Sequence, residues 1–228
     1  MDNTLLTALA LIPALVIAIV FHEVAHGWTA LLLGDPTAKE RRRLSLNPLR
    51  HVDVFGTLVL PGLLALTGAP VFGWAKPVPV TKERLNNPRF GMMAVAIAGP
   101  ATNLVLATLA AVVLGLLTRG HVLAPVGVLG FAVTALYLFI LINVFLALFN
   151  LLPVPPFDGS HIVEGLLPQR AAKAYEKLRP YGLALMFLLL LVIPWLFPGL
   201  GIVERVVAPP VEWVQDRFIA LTTWVART

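Results

Sequence analysis

The sequence contains no cysteine, and only 13% of its 228 residues are charged. The first absence excludes a disulfide-stapled scaffold. The second excludes more, because soluble domains carry about 25% charged residues. A water-soluble fold of this size and a disordered chain both need more charge than this. Acidic residues are the scarcer sign, 12 against 17 Lys and Arg, for a net charge of +5. That surplus calls for no nucleic-acid partner, since basic residues gather in the cytoplasmic loops of membrane proteins. The N-terminus, Met1-Asp2-Asn3, lacks a basic stretch before its apolar run. No small-residue cleavage pattern follows that run, so a signal peptide is not expected.

What is present is apolar sequence, 58% of the chain. Charge-free runs cover 3–22, 90–118, 120–157 and 180–203, each long enough for the roughly 20 residues that span a bilayer. They predict an α-helical polytopic membrane protein, a single domain over 1–228, with about four to six transmembrane helices. We place helices at 4–33, 88–118, 127–150 and 181–197. Residues 211–226 put Val211, Val214, Phe218, Leu221 and Val225 on one helical face, away from Glu212 and Asp216. That pattern suits either an interfacial helix or a short span.

Residues 54–75 are charge-free too, but Pro61, Gly62, Gly68 and Pro70 argue against a helix there. The run from Val54 to Leu60 reads as strand. Basic residues flank the segment almost equally: Lys39, Arg41, Arg42, Arg43 and Arg50 before it, Lys76, Lys82, Arg84 and Arg89 after it. A true crossing should leave unequal flanks. The expectation is a small re-entrant β-hairpin, 54–80, between helices 1 and 2. Loops 34–89 and 151–180 then lie in the cytoplasm, and the N-terminus lies outside. Arg41-Arg42-Arg43 reads first as an anchor at the anionic leaflet and second as a recognition element.

The sharpest motif is His22-Glu23-Val24-Ala25-His26. Spacing of i, i+4 puts both imidazoles on one helical face, where they can bind one Zn²⁺. Glu23 is placed to take a proton from water at the metal. A carboxylate inside an apolar span costs about 2.5–3.5 kcal/mol even on lenient scales, which marks it as functional. The competing reading is a polar cluster that joins helices. Zinc needs a third ligand, and His51, Asp53, His121, Asp158 and His161 are the candidates. Asp158 ends the charge-free run 120–157, in a stretch broken by Pro153, Pro155 and Pro156. Broken backbone at membrane depth is tolerated where it lines a polar cavity. Otherwise Asp158 would be an ordinary helix N-cap.

H-E-x-x-H-G from His22 to Gly27, with N-x-x-P-x-x-x-x-D-G from Asn150 to Gly159, resembles the site-2 protease family of intramembrane zinc metalloproteases. Gly99-Pro100-Ala101-Thr102-Asn103 and Phe72-Gly73-Trp74-Ala75-Lys76-Pro77-Val78-Pro79 are further matches. The resemblance implies one Zn²⁺ per chain, bound by His22, His26 and Asp158, with Glu23 as catalytic base. It implies that Asn150 and Asn103 hold substrate or the developing oxyanion, and that the hairpin presents substrate as an added strand. It further implies regulated intramembrane proteolysis of transmembrane protein substrates, in a prokaryotic plasma membrane. The chain has no room for the sensor domains that many members carry. The alternative is a zinc-binding membrane protein without proteolysis, a transporter or a helix-binding scaffold. A transporter should carry ionisable residues in several spans, and the second to fourth helices have none away from their ends.

Overall fold

The computed structural model describes residues 3–67, 74–120, 127–197 and 203–228. In chain order the helices are α1 (Asn3–Leu32), α2 (Thr37–Glu40), α3 (Leu60–Thr67), α4 (Pro88–Thr118) and α5 (Gly127–Asn150). They continue as α6 (Gly159–Leu166), α7 (Gln169–Glu176), α8 (Gly182–Phe187), α9 (Ile193–Leu196) and α10 (Ala208–Arg227). Wide π-type turns over Val54–Val59, Leu188–Val192 and Val203–Val207 lead into α3, α9 and α10. Among the described residues, four stretches are long and apolar enough to cross a membrane: Leu6–Leu32, Pro88–Thr118, Gly127–Asn150 and Gln169–Leu196. The chain is a multi-pass membrane protein. Helix α10 does not reach that standard.

The expected β-hairpin is absent. No β-strand occurs among the described residues, and 54–67 is helical. A local feature explains the difference. The Asp53 carboxylate accepts the Gly56 N–H at 2.7 Å and so caps the turn that opens the helix. Pro61 falls where the wider turns of 54–59 pass into α3, and the helical run continues through it. Residues 74–80 are irregular rather than paired, because Pro77 and Pro79 have no N–H to give a ladder. The N–H groups of Trp74 and Lys76 go to the carbonyls of Gly56 and His51. A substrate strand added to a hairpin edge therefore has no edge here to join. Residues 68–73, including Gly68, Pro70, Phe72 and Gly73, lie outside the described residues, as do His121, Pro198 and Gly199.

The chain forms two compact units, and α1 and α4 contribute to both. One unit comprises 1–18, 100–151 and 202–228. Its core is Ala107, Ala110, Ala111 and Leu114 of α4 with Ile140 and Val144 of α5. Val214, Phe218 and Leu221 of α10 pack on that core, so the apolar face read from the sequence is covered by protein. Small residues permit the approach: a Cβ at Gly115 would lie 2.7 Å from both Thr222 O and Val225 Cβ. Within this unit the buried Asn103 amide donates to Ala18 O at 3.2 Å and to Asn143 Oδ1 at 2.8 Å, linking α1, α4 and α5.

The other unit comprises 19–99 and 152–201. Ala30, Leu85 and Val95 centre its apolar core. Fully buried Asp35 organises the loop after α1. Its carboxylate accepts N–H groups from Thr37 at 3.0 Å and Thr81 at 2.6 Å, and the Thr37 hydroxyl as well. Burial alone would raise the Asp35 pKa, but these bonds outweigh it and hold the carboxyl below its ordinary value.

Candidate active site

Helix α1 carries His22, Glu23 and His26 on successive turns, and the two imidazoles are buried, 7% and 8% exposed. Their rings meet edge-on with centroids 4.6 Å apart. The His26 Nδ1–H donates to Val95 O at 2.7 Å, which leaves its Nε2 as a lone pair. Asp158 Oδ2 lies 3.1 Å from His22 Nε2 and 3.3 Å from His26 Nε2. That oxygen is buried and has no hydrogen-bond donor. Ring nitrogens facing a bare carboxylate oxygen are the donor set that a cation joins, two N and one O. The three ligand atoms lie within 4.8 Å of one another, so the cluster can hold a metal ion.

The helix-breaking prolines put Asp158 there. After α5 the backbone turns through 151–157, and Ser160 N–H bonds to Phe157 O as α6 begins. Helix α6 is itself clamped. Its Glu164 receives Lys82 at 2.6 Å and Arg179 on the other oxygen. Arg89 donates to the Gly165 carbonyl at 3.0 Å and to the Leu167 carbonyl.

The remaining sequence candidates sit elsewhere. His161 accepts from Arg179 at 3.0 Å. Burial and then the guanidinium push its pKa down to about 4. Buried His51 donates from Nε2 to Ser45 O at 2.8 Å, and Asp53 caps Gly56. Neither joins the cluster. Asn150 donates one N–H to Leu146 O at 2.9 Å.

Two features of the site were not legible as chemistry in the sequence. Glu23 Oε2 accepts the backbone N–H of Val78 at 2.7 Å, and no residue type announces a backbone donor. Gly99 stands against the metal cluster: a Cβ there would be 2.6 Å from both His22 Nε2 and His26 Cε1. The Gly-Pro dipeptide was the available signal, although nothing in it points to histidine.

The profile of peptidase family M50 matches residues 10–193. The chain belongs to peptidase family M50. A Bacillus subtilis protein named as a candidate zinc metalloprotease, YwhC, is 38% identical over 199 residues, 85% of this chain and 87% of that protein. The Mycolicibacterium smegmatis protein Rip2, also named as a candidate zinc metalloprotease, is 33% identical over 178 residues, 75% of this chain and 62% of that one. No solved structure matches the chain. With its metal-binding cluster and four membrane-length helices, this M50 chain is an intramembrane metalloprotease.

Proposed function

We propose that this M50 peptidase cuts peptide bonds within or beside the transmembrane segments of other membrane proteins, using one Zn²⁺ on His22, His26 and Asp158. The observation that carries the reading is the convergence of three ligand atoms within 4.8 Å around the orphaned Asp158 oxygen. Zinc supplies Lewis-acid polarisation of the scissile carbonyl and acidifies water. Glu23 is the general base. Its Oε2 is held by Val78, and its Oε1 has no partner among the described residues, which leaves that oxygen to take a proton from water and return it to the leaving amine. The Val95 carbonyl fixes His26 as an Nε2 donor.

Asn150 keeps the substrate-holding role that the resemblance implies, since only one of its amide hydrogens is engaged within the helix. Asn103 spends both amide hydrogens on Ala18 and Asn143, so we assign it to helix cohesion. The whole chain works as one protease domain in a prokaryotic plasma membrane, N-terminus outside and basic loops in the cytoplasm. The test is Glu23→Gln in liposomes with a single-span substrate. The variant should bind stoichiometric zinc and lose cleavage by at least a hundredfold. Undiminished cleavage by the zinc-loaded variant would refute the mechanism.

A further inference from the structure

The geometry points to a docking site for an acidic segment of the substrate, beside Glu23 and built from Arg41, Arg43 and Lys76. These three cations, with Pro77 and Pro79, line one cavity of about 220 Å³. None of them forms an ion pair with a described residue, whereas other cations of the same unit do: Lys82 with Glu164, and Arg84 with Glu40 at 2.8 Å. Three of the four acids of the surrounding loop, 34–89, are committed elsewhere, and the fourth, Glu83, does not line the cavity. Asp35 holds Thr37 and Thr81, Glu40 holds Arg84, and Asp53 caps Gly56. Three like charges on one small concavity repel one another, so the site is incomplete without an anion.

The cations are also held in place. Arg43 reaches across to donate to Lys76 O at 2.7 Å and Pro77 O at 3.4 Å. Between Arg41 and Arg43 the chain turns through Arg42 at a φ of 52°, and Arg50 fixes the Arg42 carbonyl at 2.6 Å. The prolines present ring surface and no N–H, so recognition there falls to side-chain charge.

Position selects a peptide over a lipid headgroup. The wall of this cavity is the segment whose next residue, Val78, bonds to Glu23. Two residues of extended chain from Lys76 to Val78 cover about 7 Å. A carboxylate held there belongs two to four residues from the bond being cut, in the path that a polypeptide must take to the cluster. A lipid in that place would block the path. This inference rests on the protease reading and names its substrate class: transmembrane segments flanked by Asp or Glu on the side of the basic loop.

The test uses the full chain in phosphatidylcholine nanodiscs. Fluorescent single-helix peptides carry two Asp or two Asn just beyond the apolar segment and are otherwise identical. Binding is read on Glu23→Gln, and cleavage on the wild type. The Asp peptide should bind about tenfold tighter at low salt, and the preference should shrink severalfold at high ionic strength. The double variant Arg41→Gln/Lys76→Gln should lose most of the preference. Arg170→Gln/Lys173→Gln, with the same loss of charge on exposed α7 residues, should keep it. Equal binding of the two peptides, binding of neither, or an equal loss in the control variant overturns the docking site. Loss of the preference when phosphatidylglycerol replaces part of the lipid, with Arg41 and Lys76 required for lipid binding, overturns it in favour of a lipid site. Cleavage without acid preference overturns docking and leaves the protease reading intact. Acid-dependent binding without cleavage supports docking and overturns the protease reading.

Discussion

The backbone N–H of Val78 donates a 2.7 Å hydrogen bond to Oε2 of Glu23, across 55 residues of sequence. A carboxylate fixed by one oxygen presents the other in a defined direction, which is what a general base needs. The flanking prolines, Pro77 and Pro79, stiffen the donor segment.

Removing that donor tests the arrangement. Val78→Pro deletes the N–H, while Val78→Ala keeps it and trims the buried side chain. Hydrogen bonds to charged groups contribute about 1.5–3 kcal/mol, so Val78→Pro should lower kcat by roughly tenfold to a hundredfold. KM and bound zinc should stay close to wild type, and Val78→Ala should be mild in kcat. A Val78→Pro enzyme with normal kcat would show that Glu23 needs no such tether.

Gly99 makes a sharper prediction about the metal. A Cβ at this position would collide with both imidazoles at 2.6 Å, and the helix backbone of α4 cannot retreat without losing the Val95 bond to His26. Gly99→Ala should therefore lower zinc stoichiometry below half in elemental analysis while its far-ultraviolet dichroism stays helical. Full zinc occupancy in Gly99→Ala would mean that the rings have room to move.

The clamp on α6 should appear as stability. Glu164 is buried between Lys82 and Arg179, and neutralising it removes the nearer of the two carboxylates that these cations share. Breaking a buried pair costs about 3–5 kcal/mol. Both cations are partly exposed and keep the half-exposed Glu176, 3.6 Å from Lys82 and 3.9 Å from Arg179, so Glu164→Gln should cost on the order of 2–3 kcal/mol. Thermal unfolding in detergent, followed by tryptophan fluorescence, measures this. An unchanged midpoint would remove the clamp from the account.

Acid sensitivity follows from Asp35. Its folded-state pKa lies below its ordinary value, so the unfolded chain binds the proton more readily. Stability from this group is present above the ordinary carboxylate value and is lost as pH falls below about 4. Asp35→Asn should be less stable at neutral pH by about 1–3 kcal/mol, and its unfolding midpoint should fall less steeply between pH 5 and 3. Parallel curves for the two proteins would contradict this.

The spans were legible because each contains a long charge-free run, and a bilayer leaves such a run little choice but a helix. The segment 54–67 misled for the opposite reason. Its valines, phenylalanine and threonine fit strand propensity, and the propensity of so short a segment is weak against local capping. The Asp53 cap on Gly56 decided it for helix.

The sequence by itself determined that this is a membrane protein and that His22 and His26 share one helical face with Glu23 next to them, because helical periodicity alone brings i and i+4 together. Only the tertiary structure brought Asp158, and none of His51, Asp53 and His161, to the two imidazoles. It alone set Gly99 against the imidazoles, Val78 on Glu23, and around one cavity three cations with no ion pair among the described residues. Those contacts join residues tens of positions apart, and two depend on a backbone N–H or a missing side chain. Neither leaves a periodic trace in the order of residues.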